Sequence, residues 1–143
     1  MRVLLFLCTL LLGSCATHEQ GKSLYSTFLD YESNTSKSNI IQSSPSFFSK
    51  NLLNQLNLNS LEVAEQLLFK GYMAKKINNF EMILGTSGCL TINGFDSENM
   101  PISFNLKYIK SEQRWLIDEI NVFFASDEAD FSQTAKCPSE YNN

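Results

Sequence analysis

The sequence predicts an α+β fold in which N-terminal helices pack on a curved antiparallel sheet. Two observations carry this prediction. Before Gly71 the apolar residues recur at helical spacing, interrupted by runs of turn-forming residues. From residue 72 to residue 124 the chain instead shows short apolar segments rich in β-branched and aromatic residues, separated by turns. A chain of 143 residues is long enough for one such domain with a real core.

The helical half divides into three predicted helices. In the first, Leu24, Tyr25, Phe28 and Tyr31 share one face, and the polar run 33–39 ends it. The second opens at Ser44-Pro45, a cap followed by a first-turn proline. The third is capped by Ser60, and its apolar residues are Leu61, Ala64, Leu67 and Leu68.

Four strands follow, predicted at residues 80–84, 89–92, 102–109 and 115–124. The third alternates with apolar residues at even positions up to Tyr108, which is typical of a half-buried strand. A turn at Ser111-Glu112-Gln113 joins it to the fourth as a hairpin. Residues 125–143 are acidic and polar, and we expect them to be loose unless Cys137 holds them.

The N-terminus carries the most specific motif. An apolar run from Val3 ends in Leu12-Gly13-Ser14-Cys15, which resembles a bacterial lipobox. The run is too short for a ~30 Å hydrocarbon core. The resemblance implies cleavage after Ser14, acyl chains on Cys15, and a body that faces the periplasm from the outer membrane, since Ala16 follows the cysteine. The predicted organisation is a signal peptide at 1–14, a lipidated tether at 15–22, a domain at 23–124 and a tail at 125–143. A plain secretory signal or a retained helix are the alternatives.

Four cysteines separate by position. If the leader is cleaved, Cys8 leaves with it and Cys15 would be acylated, so Cys89 and Cys137 would remain as an even pair in an oxidising compartment. A disulfide between them would contribute about 3–4 kcal/mol by chain entropy. Free thiols are the alternative, and a redox or metal pair is less favoured because the sequence holds neither a C-x-x-C motif nor a second metal ligand at suitable spacing.

Charge and histidine content narrow the function. Removal of Arg2 with the leader leaves 10 basic and 15 acidic residues. Because no basic run exists, we expect neither nucleic-acid binding nor an electrostatic grip on anionic lipid. The only histidine, His18, falls in the tether, which argues against a histidine general base, a Ser-His-Asp triad and a histidine zinc site.

The closing hairpin carries a family resemblance. Residues 106–120, Leu-Lys-Tyr-Ile-Lys-Ser-Glu-Gln-Arg-Trp-Leu-Ile-Asp-Glu-Ile, resemble the ending of small secreted domains of the nuclear transport factor 2-like superfamily. Residues 25–31 and 47–49 resemble its opening helices. The resemblance implies a cone, a bent sheet wrapped around helices, with an end that sometimes forms a pocket. Relatives usually have glycine in the hairpin turn, where this chain has Gln113.

Such a cone would give four residues a place at its opening. Asp118 is predicted to share a strand face with Leu116 and Ile120, where it would be a buried acid or a ligand contact. Asp30 and Tyr31 of the first helix could face the same opening, and Trp115 could stack on a ligand. The alternatives are a solvent-facing or backbone-bonded Asp118 and a Trp115 that fills the core.

The sequence therefore favours a lipid-anchored accessory or binding domain without catalysis. It would bind a protein partner or a small apolar ligand, and an inhibitor or immunity-type lipoprotein is one version. No cofactor and no metal are expected. The alternatives are a pocket enzyme, an isomerase or hydrolase that uses Asp118, and a structural envelope lipoprotein. Fold alone does not choose among these.

Overall fold

The computed structural model describes residues 21–60 and 62–141. It confirms the α+β class: within these residues four short α-helices precede one antiparallel sheet of four strands in sequential order. The predictions that concern the signal peptide, Cys15, His18 and Leu61 lie outside the described residues. No helix in the described part is long and apolar enough to cross a membrane.

Helix α1, Leu24–Asn34, forms as the apolar spacing predicts, and Leu24, Phe28 and Tyr31 are its buried residues. The Ser23 hydroxyl accepts a hydrogen bond from the Ser26 amide, which caps its first turn. At the other end the Lys70 ammonium donates to the carbonyl oxygens of Glu32 and Thr35. A cation suits the partial negative charge of a helix C-terminus, so both ends of α1 are fixed by side chains.

The next helices differ from the prediction. Ser44-Pro45 opens only a 3-10 turn, which follows a short helix α2, Ile40–Ser43, that the sequence reasoning missed. Helix α3, Lys50–Asn54, starts five residues later with Ser49 as its cap, because residues 47–49 are drawn into contact with the sheet. Helix α4, Val63–Leu67, begins after Glu62 rather than directly after Ser60.

The strands are β1, Lys75–Leu84; β2, Ser87–Phe95; β3, Pro101–Ser111; and β4, Arg114–Phe124. All four were predicted, and each is longer than its predicted core. The β3–β4 hairpin is confirmed, with Ser111 opposite Arg114. Its central residues Glu112 and Gln113 have φ angles of 47° and 66°. Two left-handed residues are the mark of a type I′ turn, which here forms without glycine.

The helices bury an aromatic core against one face of the sheet. Tyr31 lies at its centre: its ring stacks on Phe69 with centroids 5.3 Å apart and meets Phe48 edge-on at 5.5 Å. Phe28 and Phe104 extend the cluster onto β3. Gly88 lets α1 approach the sheet, since a Cβ there would lie 2.9 Å from the Leu24 side chain. The interior is thus filled by side chains.

The second face of the sheet carries a row of polar side chains, Thr91, Asn93, Ser103, Asn105 and Asn121. The first four are buried and bonded to one another: Thr91 to Asn105 at 2.9 Å and Ser103 to Asn93 at 2.7 Å. We call this row the polar ladder. The prediction of a half-buried β3 is therefore wrong, because β3 is covered on both faces.

The C-terminal segment covers the polar ladder. Cys89 and Cys137 form a disulfide, which confirms the predicted pairing. The Lys136 amide donates to the Thr91 hydroxyl at 2.8 Å, and the Asn93 amide donates to the Ser132 carbonyl at 2.9 Å. Phe131 packs edge-on against Phe95. The polar tail is ordered because its backbone supplies partners to side chains that would otherwise be buried and unsatisfied.

Two buried tyrosines provide a matched test of the core. The Tyr31 hydroxyl donates to the Leu67 carbonyl at 2.6 Å, whereas the Tyr108 hydroxyl is buried and has no partner among the described atoms. Tyr31→Phe should lower the free energy of unfolding by about 1 kcal/mol, because it leaves a buried carbonyl with one bond fewer. Tyr108→Phe should leave it unchanged or raise it. Urea unfolding at pH 7 measures both, and equal losses would contradict the assignment.

The same pair predicts an alkaline limit to stability. Burial raises the pKa of both hydroxyls above the ordinary value of about 10. Above that pH the unfolded chain ionises while the folded tyrosines stay neutral, so stability present below pH 10 is lost as the pH rises further. Both phenylalanine variants should lose less stability than the natural chain between pH 9 and pH 11, by the same unfolding measurement.

Candidate functional site

The four predicted site residues do not meet at one opening. Asp118 lies at the edge of the sheet beneath α3, and Tyr31 lies in the core. Asp30 and Trp115 line a common cleft at the end of the β3–β4 hairpin. The structure therefore brings together two of the four and separates the others.

Asp118 occupies a β-bulge. Lys107 is opposite Glu119 and Tyr108 is opposite Ile117, so Asp118 is an extra residue on β4 with no partner on β3. The bulge also corrects the predicted face: Ile120 lies opposite Leu106 on the core side, whereas Leu116 lies opposite Ile109 on the other side. The prediction that these two share a face with Asp118 is wrong, because a bulge changes the phase of the alternation.

The carboxylate of Asp118 is buried, and side chains of both the helical layer and the sheet bind it. Its Oδ1 accepts from the Ser49 hydroxyl at 2.6 Å and from the Asn51 amide at 3.3 Å. Its Oδ2 lies 3.6 Å from the Lys107 ammonium. The ammonium also bonds to Glu119, and that bond, with the two acids around it, raises the pKa of Lys107. These contacts make Asp118 the anchor between α3 and β4.

Residues 47–49, which we call the strap, join the helical layer to β4. The Ile117 amide donates to the Phe47 carbonyl at 2.8 Å, and the Ser49 amide donates to the Ile117 carbonyl at 2.8 Å. The strap thus runs parallel to the outer edge of β4 as a single bridge at Phe48. It points Phe48 into the core and leaves Phe47 beside Trp115.

The cleft at this end has a volume of about 230 Å³ and lies between α1, the strap and the hairpin. Phe47 and Trp115 supply apolar surface, while Asp30 and three cations supply charge. The cations are Lys22, Lys110 and Arg114. An apolar floor with a few charged groups is the usual composition of a ligand site.

The cleft is net positive, because three cations and one carboxylate line it. Lys22 pairs with Asp30. Lys110 and Arg114 have no carboxylate partner within 4.0 Å among residues 21–60 and 62–141, and the Lys110 ammonium lies 5.7 Å from the centre of the Trp115 ring. A cation over an indole face and a neighbouring guanidinium can together hold an anionic group. The arrangement favours an anion attached to an apolar part.

Sequence reasoning missed this cationic cleft. A search for basic runs fails because Lys22 is about ninety positions away from Lys110 and Arg114. The only sequence signal was the pairing of hairpin residues across the turn, which places Lys110 opposite Trp115 and Arg114 opposite Ser111. Phe47 gave no signal, because its position depends on the strap.

A second cleft borders Asp118, lined by Asn51, Leu52, Gln55, Glu119, Ile120 and Pro138. The carboxylate that it borders is already bonded to Ser49 and Asn51. In the described part of the chain, no cluster of three or more histidine, cysteine or acidic residues is placed to hold a metal ion.

Comparison with known proteins adds no family: no family model matches the chain, and no curated protein or solved structure is significantly similar to it.

The anchoring role of Asp118 can be measured. Asp118→Ala should lower the free energy of unfolding by about 2 kcal/mol, since it removes a charged acceptor and leaves the buried Ser49 hydroxyl without it. Asp118→Asn should lose less, because the amide oxygen still accepts from Ser49. Glu119→Gln is the control on the same strand: its pair with Lys107 is partly exposed, and the change should cost less than about 1 kcal/mol. Equal effects of Asp118→Ala and Glu119→Gln in urea unfolding would contradict this role.

Proposed function

We propose that the protein is a lipid-anchored binding domain of the bacterial cell envelope, whose cleft at Trp115 binds an anionic group attached to an apolar part. The observation that carries the proposal is the cleft itself, in which Lys110 and Arg114, without an ion-pair partner in the described part of the chain, lie beside Trp115 and Phe47. A carboxylate or phosphate on a small amphiphile, or on an acidic protein partner, has this chemistry.

The position of the cleft supports the proposed lipid anchor at Cys15. Gly21 and Lys22 form part of its rim. Gly21 is six positions after Cys15, and a fully extended chain spans at most about 21 Å over six residues. If Cys15 carries acyl chains, the cleft lies close to the membrane surface, where amphiphilic anions are concentrated. Several chains give durable anchoring, at about 0.8 kcal/mol for each buried methylene. The outer membrane, with the body in the periplasm, is the location that Ala16 favours.

Binding is favoured over catalysis because the candidate acidic groups are already engaged in hydrogen bonds or ion pairs. Asp118 is engaged by Ser49 and Asn51, and Tyr31 donates to a backbone carbonyl in the core. Neither faces Asp30, which pairs with Lys22. A general acid or base needs a free position within hydrogen-bond reach of a substrate. The cleft offers charge and apolar surface instead, which suits recognition.

The nuclear transport factor 2-like fold belongs to the same proposal. The order of helices followed by an antiparallel sheet that ends in a long hairpin supports it. In this chain the space beneath the sheet is occupied by Phe28, Tyr31, Phe69 and Phe104, so we place the binding site at the hairpin end and not inside a cone.

The anchor is tested by Cys15→Ala in the full chain expressed in a bacterium. Loss of the acylated cysteine should move the protein from the membrane fraction to the soluble fraction, or leave an uncleaved precursor. Cys8→Ala is the matched control, since that thiol belongs to the leader and its loss should change nothing. A Cys15→Ala chain that stays in the membrane fraction at the size of the cleaved natural protein would contradict the lipobox.

The cleft is tested by fluorescence, because Trp115 is the only tryptophan of the chain. We expect octanoate or octyl phosphate to change Trp115 emission of the full chain in non-ionic detergent, and octanol to have no comparable effect. Lys110→Gln with Arg114→Gln should weaken binding about tenfold or more, as loss of a charge-assisted hydrogen bond costs about 1.5–3 kcal/mol. Lys37→Gln, far along the helical layer, should bind like the natural chain.

The same fluorescence measurement with lipid vesicles distinguishes a lipid headgroup from a soluble ligand as the source of the anion. A response to phosphatidylglycerol vesicles but not to phosphatidylcholine vesicles or octanoate would identify a lipid headgroup, whereas a response to octanoate alone would identify a soluble ligand. Equal responses of the natural chain and the double variant to every probe would contradict a binding role for the cleft.

A further inference from the structure

The outer edge of β1 is open. β1 is paired with β2 on one side, and no other strand of the described residues pairs with its second side. Several large apolar side chains near this edge are exposed, with Leu84 65% exposed and Ile83 44%. A free row of backbone N–H and C=O groups beside apolar side chains is a template for another strand.

The charges on this edge follow a pattern that is complementary to itself. The Lys76 ammonium lies 2.6 Å from the carboxylate of Glu32 on α1, and the Glu81 carboxylate accepts from the Tyr25 amide at 3.0 Å. Both side chains are therefore on the face that carries α1, one on each side of the middle of β1.

Because of a bulge in β1, Asn79 lies midway between Lys76 and Glu81. Lys76 is opposite Gly94 and Asn78 is opposite Asn93, so Ile77 is an extra residue. Asn79 then returns to the α1 face, opposite Ile92, and Glu81 follows on that face, opposite Leu90. In terms of the pleat, Asn79 is two positions from Lys76 and two positions from Glu81.

We propose that two copies of the chain associate by antiparallel pairing of their β1 strands, centred on Asn79. A two-fold axis perpendicular to the sheet at Asn79 sets Lys76 of each copy opposite Glu81 of the second copy. Residue i then contacts residue j and the reverse, as in an isologous interface. The two sheets become one sheet of eight strands, with both α1 helices on the same face.

The same register also covers the exposed apolar residues near the C-terminal end of β1. Met82 of one copy lies opposite Lys75 of the second, whose aliphatic stem can cover it. Ile83 comes beside Ala74 at the start of the second β1, next to Tyr72, which is half exposed. Moving the two-fold axis by one residue, to Asn78 or to Phe80, would set Lys76 opposite Asn79 or Ile83 and lose both ion pairs. Opposite charges directly across an antiparallel pair are favourable and like charges are not, so the pattern selects this pairing.

Cross-linking tests the register in the full chain. Asn79→Cys places two thiols at the two-fold axis, and a short bismaleimide should link the copies into a covalent dimer several-fold more than it links the natural chain. The natural chain sets the background from Cys8 and Cys15. Leu84→Cys is the matched control, because Leu84 is exposed at the end of the same strand and the two Leu84 residues of such a dimer lie about 30 Å apart. Equal linkage from both positions, or linkage of Asn79→Cys only to other proteins, would overturn the proposal.

Charge variants test the complementarity independently of that geometry. In the Asn79→Cys background, Lys76→Glu alone and Glu81→Lys alone should each reduce linkage to background, since each opposes like charges twice. A mixture of those two variants, carrying different tags, should restore linkage between the two tags and not within either. Circular dichroism of each variant checks that it is folded. Linkage that is the same in the single variants and in the mixture would overturn the proposal.

Discussion

The pairing of the strap with β4 is the contact on which the rest of this structure depends. Two backbone hydrogen bonds between residues 47–49 and Ile117 tie the helical layer to the edge of the sheet. The bulge at Asp118 turns a carboxylate toward Ser49, and Ser49 in turn caps α3. One short segment thus decides where α3 starts, pairs with the edge of β4 at Ile117 and buries Phe48 in the core. It also places Phe47 between the ring of Tyr31 and the cleft.

The two faces of the sheet are stabilised by different interactions. The α1 face buries aromatic rings, which gain from area and geometry. The other face carries the polar ladder, whose amides and hydroxyls would cost free energy if they were covered without partners. The tail supplies those partners through its backbone, and the Cys89–Cys137 disulfide keeps it in place. A segment of polar composition is therefore part of the fold, and the sheet is a middle layer between helices and tail.

The proposed activities sit at opposite edges of this layered body. The cationic cleft lies at the hairpin end by β4, where Gly21 brings the chain from the proposed anchor. The open edge of β1 is three strands away. Pairing through β1 leaves the cleft of each copy uncovered, so a dimer would present two binding sites. Two sites on one assembly can engage one surface together, which raises the effective affinity without new contacts.

Local pattern in the sequence was enough for the class of fold, helix α1, all four strands, the β3–β4 hairpin and the cysteine pair. These depend on the spacing of apolar residues and on turn chemistry, which neighbours along the chain express. The start of α3, the burial of β3 on both faces, the bulge at Asp118 and the convergence of Lys22 with Lys110 and Arg114 were decided only by the tertiary structure. Each depends on segments far apart in the chain, and periodicity carries no information about which distant segments meet.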